Sequence, residues 1–332
     1  MHSDIFSKMP PTRLFFHCAL PAMATSLAGG LYAIVDGIFV GRYLGGEALA
    51  AVNIVMPLIM MVESLANMVA VGTSVHIAAM LGKENRQEAS QAFSFSVKFI
   101  LLFSTMTALI GFYYAETVAA WLAPGADGEP LCLAVIASAI MGVVMNIFLL
   151  KYGGTSAVAA FAIVMYVDSI IGMLNFGLCE SLQPALSYCY GAGREKRLQA
   201  IFQRILLASL AMAVAAFLFM ELAGSCMAGV FIQTDDQNLV KVSQEALAIF
   251  AFSYLVGWID LCFSSYFTAL DMPARSLLVS FLGTLVFPIA LLLVLTPVYG
   301  LTGIWMTAPI ASALSGVVAL LLYKNSRHKL IS

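Results

Sequence analysis

Long apolar runs, separated by short polar or glycine- and proline-containing breaks, follow one another from end to end of this chain. Runs of about 20 residues or more, the length that crosses a bilayer core, can be drawn at 14–40, 47–81, 92–123, 131–150, 156–190, 200–231, 245–269, 277–298 and 301–323. Stretches such as "AFAIVMYVDSIIGML" lack the period-two alternation of a membrane β-strand. The pattern predicts about nine transmembrane helices, several of them long enough to tilt or to extend past the bilayer. Breaks fall at Gly45–Gly46, Gly82, Pro124–Gly125, Gly153–Gly154, Gly191, Gly193, Pro273 and Pro297. Pro21, Pro57, Pro184 and Pro288 lie inside runs and are expected to kink their helices.

Composition turns this pattern into a class. Of 332 residues, 61% are hydrophobic and 10% charged, where a soluble domain carries about 25% charged residues, and the mean hydropathy is +0.95. The expected fold is an all-α polytopic membrane protein. A net charge of −2 leaves no overall basic footprint for nucleic acid, and the cluster "GREKR" is explained as a cytoplasmic loop. Six cysteines form no CxxC pair and mostly lie in apolar runs, and four histidines are scattered, so neither a disulfide framework nor a metal site is suggested. "LGKENR" lacks the glycine spacing of a phosphate-binding loop, and no zinc or nucleophile constellation stands out. No enzyme and no cofactor is expected; energy for any transport has to come from an ion gradient. Lys8 and Arg13 before "PAMAT" resemble the start of a signal peptide, but the apolar run continues to Gly41 and is read as a retained first helix.

An internal repeat appears at an offset of 109 residues, where "GGEALAAVNIVM" meets "GTSAVAAFAIVM". It pairs Gly45 with Gly154, Ile54–Val55–Met56 with Ile163–Val164–Met165, Leu65 with Leu174 and Gly82 with Gly191, and each copy ends in a charged loop, "LGKENRQEA" or "YGAGREKRLQA". Two related bundles are the natural reading. Basic residues cluster at Lys8 and Arg13, at Lys83 and Arg86, at Arg194, Lys196, Arg197 and Arg204, and at Lys324, Arg327 and Lys329, all of which should face the cytoplasm. That placement requires an even number of crossings between residues 93 and 193, where three apolar runs can be drawn. The link "APGADGEP" is where the sequence places a missing piece.

Acidic and amide side chains inside apolar runs are the candidate chemistry, because a charge at the centre of a bilayer costs about 3 kcal/mol or more. Asp36 is the only acid between Leu14 and Val40, with Tyr32 as a further cavity-lining candidate in the same run. Asn53, Glu63, Asn67 and Ser74 fall within an arc of about 80° on the second helix, a stripe that suits cavity lining or helix–helix contact. Asp168 and Asn175 share a face, with Gln183 about 60° and Glu180 about 120° away, and two acids on one helix favour a polar interior that contacts substrate or cation. Asp260, with Ser264, Ser265 and Tyr266 close by, suits cavity lining or interhelical hydrogen bonding, whereas Asp271 belongs to a loop. The 18 methionines and 22 phenylalanines are mostly packing, although flexible thioethers and aromatic faces also accommodate apolar cations of varied shape.

The chain resembles the multidrug and toxic compound extrusion (MATE) family. The resemblance rests on "LYAIVDGIFVGRYLGGEALAAVNIVMP", the "LGKENRQEA" loop, "YGGTSAVAAFAIVM" followed by "SLQPALSYCYGAGREKR", and "GLTGIWMTAPIA" near the end. It implies a two-lobed bundle of twelve helices exporting drugs against H⁺ or Na⁺. On this reading residues 11–123 form a truncated first lobe of three helices, 124–130 the link at the deletion, 131–323 a second lobe of six helices and 324–332 a cytoplasmic tail. Helices four to six of the first lobe are then missing, in agreement with the parity conflict. Asp36 carries over by motif as the cation-coupling acid, since a carboxylate held out of water is readily protonated near physiological pH, while a Na⁺ site would use the same group ionised. The expected function is an H⁺- or Na⁺-coupled antiporter in the cytoplasmic membrane, surrounded by lipid and moving organic, cationic small molecules. A non-transporting remnant or assembly subunit, and a flippase for lipid-linked precursors, are the rival readings; pairing of two copies in a homodimer to complete the first lobe stays open.

Overall fold

The computed structural model describes residues 3–39, 46–122, 129–231 and 237–331. Every element among them is helical: α1 (Ser3–Lys8), α2 (Pro11–Phe39), α3 (Gly46–Gly82), α4 (Arg86–Leu122), α5 (Glu129–Ser181), α6 (Gln183–Gly191), α7 (Glu195–Phe231), α8 (Gln237–Ala269), α9 (Pro273–Phe281), a π-helical turn (Leu282–Val286) and α10 (Phe287–Ile331). Among the described residues six helices are long and apolar enough to cross a membrane, and two of these, Val144–Gly191 and Pro273–Ser326, run for 48 and 54 residues, well beyond one bilayer thickness. Each of the two contains a glycine at a backbone conformation closed to other residues, Gly154 (φ 66°, ψ −161°) and Gly300 (φ 58°, ψ −133°).

At Gly300 the chain folds back on itself. A Cβ built on Gly303 would lie 2.5 Å from the carbonyl oxygen of Leu295, eight positions earlier, a separation of about 12 Å along a straight helix. The sequence expectation of a break at Pro297 is therefore displaced by three residues: Pro297 stays inside α10, because its ring holds φ negative and the reversal needs a positive one. Similarly, the break expected of Pro184 occurs before it, at Leu182, and Pro184 takes the second position of α6. Pro288 comes directly after the π-helical turn, and Pro21 remains within α2. Of the link at 124–130, residues 124–128 lie outside the described residues and 129–130 begin α5.

The chain gathers into two compact units. Unit 1 comprises Met1–Gly30, Met141–Leu186 and Arg194–Ser332; unit 2 comprises Leu31–Ile140 and Ser187–Gly193. In unit 1, α8 packs against α7, α9 and α10. Its core surrounds the two glycine bends, with Met145, Leu149, Ala157 and Ala160 of α5, Met220 of α7, Ala246, Leu247 and Ala251 of α8, and Leu292, Ile304 and Trp305 of α10. Gly177 brings the first half of α2 onto α5, since a Cβ there would stand 2.5 Å from Ser26 Oγ. At one end of unit 1, Arg194 donates to the Ser7 carbonyl at 3.1 Å, Arg197 donates to that of Met9, and Arg204 Nε donates to Thr12 Oγ1 at 2.9 Å. The basic start of α7 is thus bound to the basic N-terminal segment, as expected of clusters held on one side of a membrane.

In unit 2, α3 packs against α4, with Thr73 and Ser96 hydroxyls bonded at 2.7 Å. Three short loops in the molecule close alike on a left-handed residue, at Glu84 (φ 62°), Gly193 (φ 65°) and Asp271 (φ 59°). At the first and third, Asn85 N donates to Met80 O and Met272 N to Phe267 O, each at 2.9 Å, the six-to-one bond of a Schellman cap. Asn85 then caps α4, accepting from Glu88 N at 3.2 Å and donating to Glu88 Oε2 at 2.8 Å. Glu84 and Gly193 are 109 positions apart, the offset of the sequence repeat. The repeat is also visible as a reciprocal contact: a Cβ on Gly82 would collide with the Tyr188 carbonyl, and one on Gly191 with the carbonyl of Ala79, the residue 109 positions before Tyr188. The turns at Gly82 and Gly191 accordingly lie side by side at one end of unit 2.

Because backbone rather than side chain opposes each glycine, neither position can relax around a methyl group. Gly82→Ala and Gly191→Ala are each expected to destabilise the protein by about 1–3 kcal/mol. The double variant should cost less than the two together, since one contact is lost in either case. Thermal unfolding in detergent, followed by tryptophan fluorescence, measures this; two additive or two silent substitutions would show that the repeats do not touch there.

Candidate functional site

Unit 1 contains a cavity of about 800 Å³ walled by α5 on both sides of its bend, α7, α8, the π-helical turn and its flanks, and α10. Its lining is largely apolar and deformable: Met145, Met165 and Met212 with Phe161, Phe250, Trp258 and Trp305. Into this surface project Asp168 and Asn175 from α5, Ser253, Tyr254, Asp260 and Ser264 from α8, and Ser280, Thr284, Thr307 and Ser312 from the segment between α9 and the second half of α10. Among the described lining residues two are acids and none is Lys, Arg or His.

Each carboxylate lies beside a hydroxyl from a neighbouring helix. Tyr254 Oη donates to Asp168 Oδ1 at 3.1 Å, linking α8 to α5. Asp260 Oδ2 and the Ser315 hydroxyl of α10 meet beside Gly283, the hydroxyl itself donating to the Val279 carbonyl at 3.4 Å. Gly283, inside the π-helical turn, makes room for this pair, because a Cβ there would lie 2.7 Å from Ser315 Oγ and 3.1 Å from Asp260 Oδ2. A π-helical turn inserts one extra residue and so rotates the rest of the helix about its axis; here it presents a bare backbone to a carboxylate. Of the two cavity tryptophans, Trp258 donates its indole N–H to the Leu255 carbonyl at 2.9 Å, while the buried Trp305 Nε1 has no acceptor among the described residues.

The structure sorts the sequence candidates by face. Asp168, Asn175 and Asp260 come together around the cavity. Glu180 and Gln183 do not line it, in keeping with their angular offset from Asp168 and the helix break at Leu182. Tyr266, expected beside Asp260, is turned away: six positions along α8 is about 120° from Asp260, and its ring packs instead with Phe202 and Tyr323, centroids 4.3 Å and 5.4 Å away. Ser265 likewise donates to the Cys179 carbonyl, at 3.1 Å, rather than facing the cavity. Tyr32, Glu63 and Asn67 belong to unit 2, where all three are exposed. Asp36 and Asn53 sit on α2 and α3, and their side chains lie outside the described residues. Sequence reasoning passed over Tyr254, Ser315, Gly283 and Trp305. A tyrosine six positions before Asp260 carries no periodic signal linking it to an acid 86 residues earlier.

A family model for MatE matches residues 21–125 and 130–294. The multidrug export protein MepA of Staphylococcus aureus (strain MSSA476) is 26% identical over 204 residues, which is 61% of this chain and 44% of that protein. A MepA of Staphylococcus saprophyticus is 24% identical over the same length and shares. The match therefore spans less than half of each of these curated relatives. Among solved structures, a crystal structure of MATE in the bent conformation superposes with a TM-score of 0.83 at 16% identity, covering 99% of this chain and 98% of that one. The outward-facing conformation of a multidrug resistance MATE family transporter of the MOP superfamily gives 0.77 at 17% identity, covering 98% of both chains. These likenesses show the fold, an all-α, multi-pass bundle of the cytoplasmic membrane, and with the family model matching most of the sequence, the chain belongs to the MatE family.

Proposed function

We propose that this protein is a cation-coupled antiporter that exports organic cations, multiple drugs among them, across the cytoplasmic membrane. The observation that carries the reading is the unit 1 cavity, with two carboxylates, no basic side chain among its described lining residues and walls of methionine and aromatic rings. A monocation about 4 Å from one carboxylate gains on the order of 4 kcal/mol at an effective dielectric constant of about 20, roughly a thousandfold in affinity. Apolar rings and thioethers then hold the rest of the molecule without demanding one shape. A lipid-precursor flippase handles polyanionic headgroups, which the same acids would repel. The names of the relatives, multidrug export proteins, support the export reading.

Coupling requires that the ion and the drug favour different access states, so that each promotes release of the other. Asp36 is the coupling acid on this reading, by its place in the family-like motif "LYAIVDGIFVG", with H⁺ or Na⁺ as the ion. On this reading the first lobe is shortened, and the break in the family match between residues 125 and 130 supports a deletion at the link.

Export of ethidium from an efflux-deficient bacterial host tests the proposal. Asp36→Asn is expected to abolish export while leaving the protein in the membrane, and Asp168→Asn and Asp260→Asn to reduce it at least tenfold, each removing one charge attraction. Full-rate export by Asp36→Asn would reject its coupling role, and no export by the parent chain would favour a non-transporting remnant. A subtler pair probes the Asp260 pocket. Gly283→Ala should impair export much as Asp260→Asn does, whereas Gly316→Ala, off the cavity lining and with Ile259 no nearer than 3.5 Å to its Cβ, should leave it unchanged.

A further inference from the structure

Behind the cavity wall, three side chains from three helices meet. Cys179 Sγ of α5 lies 3.5 Å from Cys262 Sγ of α8, and Ser209 Oγ of α7 lies 3.2 Å from Cys262 Sγ and 3.9 Å from Cys179 Sγ. All three are buried, Cys179 and Ser209 at 0% exposure and Cys262 at 1%. None lines the cavity, although Asn175, one turn before Cys179, does. The backbone between the two cysteines is fixed as well, by the bond from Ser265 Oγ of α8 to the Cys179 carbonyl. The cysteines are 83 residues apart, so no spacing in the sequence announces the pair.

The triangle of sulfur, sulfur and oxygen has the size of a coordination shell. A point at its centre lies about 2.1 Å from each atom, against metal–ligand bonds of about 2.3 Å for thiolate sulfur and about 2.0–2.2 Å for oxygen. Charge selects the valence. In apolar surroundings a net charge is costly, and two thiolates cancel a divalent ion. Ligand softness selects the element, since paired thiolates favour thiophilic ions over Mg²⁺ or Ca²⁺.

We propose that Cys179, Cys262 and Ser209 form a binding site for one divalent thiophilic metal ion, of the class of Zn²⁺ and Cd²⁺, bridging α5 to α8. On binding, both S–H bonds break, two metal–sulfur bonds form and two protons leave; the serine hydroxyl adds a lone pair and keeps its proton, and nothing is oxidised or reduced. No cluster of three His, Cys, Asp or Glu side chains is present among the described residues, and the hydroxyl as third arm distinguishes this site from such clusters. The site stands apart from the export reading, because neither thiol touches the cavity.

Titration of the purified full chain with Cd²⁺ tests it. A near-ultraviolet thiolate-to-cadmium charge-transfer band should grow to one ion per chain with two protons released to a weakly buffered solution. Both signals should persist when Cys18, Cys132, Cys189 and Cys226 are all replaced by alanine. They should vanish in Cys179→Ser and in Cys262→Ser, and Ser209→Ala should weaken binding at least about tenfold. A silent titration of the four-alanine variant, or a full band in either serine variant, would overturn the proposal. Should the serine variants fail to fold, the four-alanine variant decides alone, since only the proposed pair remains in it.

Discussion

A polar group in a bundle surrounded by lipid has no bulk water to fall back on, so each one needs a protein partner or an aqueous cavity. Asp168 and Asp260 of unit 1 obey this constraint, and the arrangement of the helices around them reflects it. Asp168 takes the phenol of Tyr254, tying α8 to α5, and Asp260 of α8 sits beside the Ser315 hydroxyl of α10 next to Gly283. Both also open on a cavity whose remaining lining is mainly apolar. The one phenol bonded to Asp168 satisfies only part of that carboxylate's accepting capacity, and on the proposed reading a bound cation supplies the rest.

Glycine provides the geometry that makes this possible. The bends at Gly154 and Gly300 use backbone conformations that side chains exclude, and they set the helical segments beyond them against the core around Leu149, Ala157, Ile304 and Trp305. Gly283 does the same on a smaller scale, letting the π-helical turn come close to Asp260 and Ser315. The reciprocal contact of Gly82 and Gly191 carries the 109-residue repeat from the sequence into three dimensions. At Gly82, Gly191 and Gly283 the absence of a Cβ matters because backbone or a functional side chain occupies the space, whereas at Gly154 and Gly300 it is the positive φ that excludes other residues.

Much of the fold is legible in the sequence, because apolar length and glycine breaks report directly on how a chain crosses lipid. The loops at Gly82, Gly154 and Gly193 and the start of α9 at Pro273 can be read from residue type alone. The positions of Pro297 and Pro184 relative to their breaks cannot, since proline marks where a helix is weakened and glycine decides where it turns. At the site, periodicity along one helix groups Asp168 with Asn175, whereas Glu180 and Gln183, also expected at the cavity, lie off its lining. Pairings between helices are another matter. Tyr254 with Asp168, Ser315 with Asp260 and Cys179 with Cys262 depend on how α5, α8 and α10 cross, and a single sequence encodes that only through its packed volume. Tyr266 illustrates the cost of reading proximity along the chain as proximity in space: six positions from Asp260, it belongs to an aromatic cluster on another face.

The dependence of cation recognition on the paired acids is most directly measured by equilibrium binding of tetraphenylphosphonium to the purified full chain in detergent. The parent protein is expected to bind it, with affinity falling by at least about a hundredfold in the Asp168→Asn, Asp260→Asn double variant while thermal stability is kept, as the loss of two charge attractions of a few kcal/mol each requires. Equal affinity in a folded double variant would contradict the central claim, because the cavity would then hold its ligand without the two charges around which its helices are arranged.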